Sequence, residues 1–282
     1  MAAWDDLTVT ISLFDTTGDR NRYDPLPKIG GKGLFTAELE AALHEHRIDL
    51  AVHSLKDLPV EDSPGLTILA IPERAAAADV LICRHTDQLS TLPAGATVGT
   101  SSLRRAAQIL ACRPDVHIKD IRGNVNTRLN KVDDPDQGYD ATILALAGLE
   151  RLGYQDLPQV HPIPSELMLP APGQGALAIQ GRAEDSETSR YLAVLDHQPT
   201  RAAVEAERAF LAGLGGGCSL PVGALAAVKA QRLHLQALVA DPGGRQLIRV
   251  SDTGLPDSAA ELGQQLAAQA LRQGAATLLA KG

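Results

Sequence analysis

The chain has 282 residues, 44% of them hydrophobic and 21% charged, enough to bury ordinary cores in two or three compact domains. A formal charge of -8 with only 3% aromatic residues argues against nucleic acid, which normally requires a basic face and stacking rings. No apolar run approaches the roughly 18 to 20 residues of a membrane helix, and the start Met-Ala-Ala-Trp-Asp-Asp lacks a signal peptide's basic opening. The three cysteines have no CxxC spacing, so a cytoplasmic protein with no membrane span, metal site or disulfide framework is expected.

A strand-like run at residues 7–13 comes first. Lys28 and Lys32 then flank or enter the loop Ile29-Gly30-Gly31-Lys32-Gly33, where glycines allow backbone to approach a ligand closely. Residues 36–47 carry Leu39, Ala42 and Leu43 at helical spacing, residues 48–52 are an apolar run, and residues 54–59 form a loop. Lys56 and Asp57 therefore sit just past the carboxyl end of a strand, where open α/β sheets bind ligands.

Further strand-like runs at residues 67–71, 80–83, 96–99, 116–121 and 141–146, with helical patterns between several of them, predict an α/β fold with a parallel sheet. Pro72 and Glu73-Arg74 mark a crossing into a second domain, and the turn-rich LPAPGQG at residues 169–175 marks a return. A buried strand at 176–180, helices at 184–195 and 201–214, and the loop Gly215-Gly216-Gly217-Cys218-Ser219 follow. Three β runs at about 224–229, 232–239 and 246–251 come next, with Asp241-Pro242-Gly243-Gly244 as a hairpin turn between the last two. A helix at 258–273 with Leu262, Leu266 and Ala270 on one stripe completes a small α+β unit.

Two stretches place cations where helices begin. In VGTSSLRR, Arg104 and Arg105 occupy a first helical turn that already carries positive partial charge, which is unfavourable unless an anion sits there. Ser101, Ser102 and free N–H groups would add donors to such an anion, and the alternative is two solvent-facing arginines. In IKDIRGNVNTRL, Arg122 and Arg128 repeat the geometry after the next strand. Arg151 is an ordinary last-turn cation. Asp57 has a plain reading as a turn residue, but beside lysines its carboxylate is expected to stay ionised and to stabilise a cation. Cys218, after three glycines, reads equally as a nucleophile or attachment point and as an incidental thiol.

These residues resemble the porphobilinogen deaminase (hydroxymethylbilane synthase) family of the tetrapyrrole pathway that leads to porphyrins and heme. The resemblance rests on KIGGKGLF, DLAVHSLKDLP, VGTSSLRR, RGNVNTRL, LALAGLERLG, LPAPGQGALAI and GGGCSLPVGA, in that order through most of the chain. It implies two domains like type II periplasmic binding proteins, at residues 1–72 with 176–197 and at 73–175. A third, α+β domain at 198–282 carries a dipyrromethane cofactor joined by thioether to Cys218.

The implied activity is that of a transferase that condenses four porphobilinogen molecules into hydroxymethylbilane, with loss of ammonia at each step. Asp57 matches the catalytic position, next to the cationic azafulvene left when ammonia departs. Lys56, Ser101, Ser102, Arg104, Arg105, Arg122 and Arg128 match cofactor-binding positions, and Lys28, Lys32, Phe35 and Arg151 match substrate-binding ones. The resemblance implies no metal and a monomer.

One departure stands out. The strand and helix with an Arg-x-Ser element that usually precede the part matching residues 7–19 have no counterpart here, so Met1 is expected to be an internal or mis-called start. A catalytically impaired protein that binds tetrapyrrole precursors is the alternative this raises.

Overall fold

The computed structural model describes residues 4, 7–16, 36–216 and 220–280, and elements are numbered within those. Helix α1 (Ala37–His44) leads into strand β1 (Leu50–Ser54), a 3₁₀ turn at Leu55–Asp57 and strand β2 (Leu66–Ala70). The chain crosses at residues 72–78 into β3 (Asp79–Ile82), β4 (Thr97–Gly99), α2 (Leu103–Cys112) and β5 (His117–Lys119). It continues through α3 (Val125–Asp133), β6 (Ala141–Ala145), α4 (Leu146–Glu150) and β7 (Val160–Pro162). A return through residues 169–175 gives β8 (Leu177–Arg182), α5 (Ser186–Leu192) and α6 (Gln198–Gly213). The last elements are β9 (Val222–Lys229), β10 (Arg232–Ala240), β11 (Leu247–Gly254), α7 (Ala259–Arg272) and α8 (Ala275–Leu279).

Three sheets organise these elements, with strand orders β1-β8-β2, β5-β4-β6-β3-β7 and β11-β10-β9. Strand β8 lies antiparallel between β1 and β2, so the first sheet is completed only when the chain comes back from the second. In the second sheet β4 pairs in parallel with β5 and β6, whereas β3 is antiparallel to β6 and β7. The expectation of a parallel sheet is therefore corrected to a mixed one. Helices α2 and α3 supply the crossovers that parallel pairing needs; β3 enters directly from the other lobe and is not bound by that requirement. Two open α/β sheets, the first antiparallel in its described pairings and the second mixed, followed by an antiparallel sheet with helices on one face make the anticipated pair of binding-protein-like domains plus an α+β domain.

Burial explains the patterns. All four residues of β3 are buried because both faces are covered, so it reads as an apolar run interrupted only by Asp79. Strand β10 alternates from Arg232 to Gln236 and is then buried on both faces. One face packs with Phe210, Leu262 and Leu266, and at its far end Leu238 and Ala240 meet Ala107 and Leu169 of the second lobe. Gly244 (φ +70°) seals that contact: a Cβ there would lie 2.5 Å from the Ala107 carbonyl oxygen on α2.

The run at residues 7–13 carries no regular structure, contrary to expectation. Its alternation gives it strand propensity, but a strand needs a hydrogen-bonded neighbour, and none of the described strands pairs with it. Val9, Ile11 and Leu13 are instead 70%, 83% and 95% exposed.

The two crossings lie side by side. Gly175 (φ +86°) allows this, since a Cβ would come within 2.6 Å of the Ala75 carbonyl oxygen. Glu207 of α6, fully buried, accepts from Arg74 Nη1 and Nη2 at 2.6 and 3.0 Å, and from the N–H groups of Gly173 and Ala226, both at 2.7 Å. One carboxylate thus joins both crossings to the third sheet. Among the described residues, no helix is long and apolar enough to cross a membrane.

Candidate active site

Lys56 and Asp57 are set by the 3₁₀ turn that ends β1. Leu55 anchors that turn: its side chain is fully buried and its N–H donates to the Ala176 carbonyl at 3.0 Å. Arg208 of α6 holds the following backbone by donating to the carbonyls of Leu58 and Pro59 at 3.1 and 2.7 Å.

On the facing lobe, Ser102 caps α2 by accepting from the Arg105 N–H, and Asn124 caps α3 by accepting from the Thr127 N–H at 2.9 Å. Ser101 donates through its hydroxyl to the Ile121 carbonyl at 3.1 Å, tying the loops after β4 and β5 together. Arg128 then folds back, with Nε donating to the Gly123 carbonyl at 2.8 Å.

Lys56 of the first lobe and Arg105 and Arg128 of the second converge on one open cavity of about 210 Å³. Gly123, Asn124, Val125, Leu144, Ala145 and Gly148 complete its wall. Burial, followed by the like charges of Arg105 and Arg122, pushes the Arg128 guanidinium down to about 10. No carboxylate among the described residues forms an ion pair with Arg128 in return. A cationic group held at that disadvantage fits an anionic ligand.

Arg104 and Arg105 do not face solvent, which corrects the second sequence reading, and the anion beside them is a protein carboxylate. Arg104 Nη1 donates to Asp79 Oδ2 at 2.6 Å; Arg105 Nε and Nη2 donate to Asp79 Oδ1 at 3.1 and 2.7 Å. Asp79 is fully buried, and the two arginines hold its carboxyl well below the ordinary range against the opposing effect of burial. Two cations share one carboxylate, so one positive charge remains uncompensated within the trio, and Arg105 carries it to the cavity wall.

The Asp57 side chain opens to solvent, yet the surrounding protein desolvates the charged form and pushes the carboxyl up from its usual value, with Lys56, His53 and Arg105 pulling the other way. Lys56 is shifted down, first by burial, with Asp57 opposing. His53, behind them in β1, is buried against Gln180 Oε1 at 3.0 Å and pushed down by burial.

The remaining candidates are placed less centrally. Arg122 is half-buried within electrostatic reach of Arg128. Arg151 is exposed just after α4, and its Nη2 donates to the Gly175 carbonyl at 3.0 Å, so it holds the return crossing. Lys28, Lys32, Phe35 and Cys218 lie outside the described residues. Cys83 is 1% exposed within the second lobe's apolar core, where Leu81, Ile163 and Met168 leave no room for a pyrrole.

Sequence reasoning missed Asp79, Gln174 and Glu207. The signal was there for two of them: a carboxylate inside the apolar run of β3, and another at helical spacing between Ala203 and Phe210 on the buried stripe of α6.

Residues 2–190 match the family model "Porphobilinogen deaminase, dipyromethane cofactor binding domain", and residues 201–272 match "Porphobilinogen deaminase, C-terminal domain". The chain is 51% identical over 266 residues to a porphobilinogen deaminase of Desulforudis audaxviator (strain MP104C), covering 94% of this chain and 85% of that protein. It is 49% identical over 265 residues to one of Pelotomaculum thermopropionicum, covering 94% and 84%. With matches that span both lobes and the third unit, the chain belongs to the porphobilinogen deaminase family.

Proposed function

We propose that this chain condenses four porphobilinogen molecules stepwise into hydroxymethylbilane, releasing ammonia at each addition, on a dipyrromethane held by thioether to Cys218. The observation that carries this reading is the convergence of Lys56, Arg105 and Arg128 from two lobes on one cavity beside Asp57, in a chain of this family. The donor set fits a polycarboxylated pyrrole group: cations crowd together beyond what the enclosed carboxylates balance, and Arg128 is destabilised by its neighbours until an anion arrives.

In this reading Lys56, Arg104, Arg105, Arg122 and Arg128, with Ser101 and Ser102, hold the cofactor. Lys28, Lys32, Phe35 and Arg151 receive the incoming substrate. When bound, the dipyrromethane supplies a nucleophilic free ring carbon. Asp57, ionised, stabilises the positive charge that develops on porphobilinogen as its amine departs, accepts from pyrrole N–H, and then helps remove the ring proton. The arginines and Lys56 fix the carboxylate arms so that the reacting carbons meet in register. The apolar side chains of Leu144, Ala145 and Val125 between these charges reduce their screening by water.

The lobes are residues 1–72 with 176–197 and residues 73–175, and residues 198–282 form the third domain. The protein works as a cytoplasmic monomer. Incubation with porphobilinogen tests the reading: ammonia is expected at one equivalent per porphobilinogen consumed, with a linear tetrapyrrole as product. Consumption without ammonia, or binding without turnover, would refute it.

A further inference from the structure

Arg105 can bind a ligand carboxylate only if its guanidinium is held still. Five N–H bonds leave that group, and three are committed: Nε and Nη2 to Asp79 Oδ1, and Nη1 to the Ile143 carbonyl at 3.0 Å. One N–H remains on each terminal nitrogen to meet a ligand carboxylate. Asp79 is itself immobilised. Its Oδ1 also accepts from Gln174 Nε2 at 2.9 Å, and that same nitrogen donates to the Ala77 carbonyl at 2.7 Å. Its Oδ2 is engaged by Arg104, whose Nη1 donates as well to the Leu169 carbonyl at 2.6 Å.

Asp79 thus stands where the first crossing ends, is bonded to the return crossing through Gln174, and sits beneath the arginines of α2. We propose that Asp79 is a positioning residue for the reaction: it orients Arg105 toward the cavity and ties that orientation to both inter-lobe crossings. The inference rests on the reading that Arg105 receives pyrrole carboxylates. Asp79 touches neither substrate nor cofactor and acts through Arg105. Both of its oxygens matter, because an amide in its place offers a single acceptor oxygen to donors that now occupy two.

The test compares the full-length wild type with Asp79→Asn, well below their unfolding temperatures. For Asp79→Asn, kcat/KM for porphobilinogen is expected to fall about 100-fold, most of it as a raised KM, and a smaller fraction of chains is expected to carry the covalent cofactor by intact mass. Asp79→Glu keeps the charge of the trio and displaces the carboxylate by one methylene. An orientational role predicts that its KM stays raised toward that of Asp79→Asn, whereas a wild-type KM would reduce Asp79 to charge balance and overturn the proposal. An unchanged KM and full cofactor loading beside a lowered Tm would assign Asp79 to stability alone, with the same consequence.

If Asp79→Asn does not fold, Gln174→Met keeps the carboxylate and both arginines and removes only the tether. A KM raised about threefold with kcat retained supports the proposal, and an unchanged KM contradicts it. A wild-type chain that consumes no porphobilinogen overturns the functional reading and this inference with it. Normal wild-type turnover beside an unaffected variant overturns the inference alone.

Discussion

Replacing Asp57 with Asn is expected to leave the cofactor attached and to lower kcat about 1,000-fold, the combined scale of losing an electrostatic stabiliser and a proton acceptor. KM should change little, since the cationic wall is untouched. The pH profile gives a second reading of the same group. Its folded-state pKa is raised by burial, so the acid limb of kcat/KM should lie above the ordinary carboxylate range, where the site first becomes ionised. Lys56 is shifted the other way, and loss of its charge should raise KM at a lower pH than for a free lysine.

The stability sign is opposite to that of a salt-bridged carboxylate. The fold favours protonated Asp57, so the group's contribution becomes less favourable as pH rises from the unfolded to the folded pKa. Asp57→Asn should therefore have a slightly higher Tm at neutral pH while being nearly inactive. Thermal scans and initial rates on one preparation check both halves, and a variant with normal kcat would remove Asp57 from the mechanism.

The second large effect is on stability. Glu207→Gln should destabilise the fold by about 3 kcal/mol, because it leaves Arg74 buried beside an amide that can accept fewer than the four donors now satisfied. For a chain of this size the midpoint should fall by roughly 5 °C. The double variant Arg74→Met/Glu207→Gln should recover part of the loss, since it removes the stranded cation along with its partner. Midpoints measured by calorimetry decide this. A single variant as stable as the wild type would show that the crossings do not depend on this carboxylate.

The elements that sequence made legible are those whose pattern is local. The alternation of β10 and the stripe of Leu262, Leu266 and Ala270 on α7 follow from which face is covered, and both fall near their expected places. Arg104 and Arg105 were legible as cations at a helix start, but their partner was not. Asp79 reaches them because β6 lies between β3 and β4 and β3 runs antiparallel to it, a strand order that no local pattern encodes.

The upward shift at Asp57 was hidden for a related reason. Neighbouring cations can be counted along the chain, whereas enclosure depends on how the lobes and α6 close around the turn. The three-residue edge strand β7 and the one-turn helix α8 are too short to carry a periodic signal. Residues 7–13 show the converse case, where a strand-like alternation finds no described partner and stays exposed.

If the cationic cleft serves a pyrrole chain anchored to the third domain's thiol, intact-mass spectrometry of the purified chain must show it. The wild type should exceed its sequence mass by two porphobilinogen units less two ammonias and gain one porphobilinogen less one ammonia per substrate added, and Cys218→Ser should show its bare sequence mass. A wild-type chain at its bare sequence mass, or an adduct that survives in Cys218→Ser, would contradict this role of the cleft and its thiol.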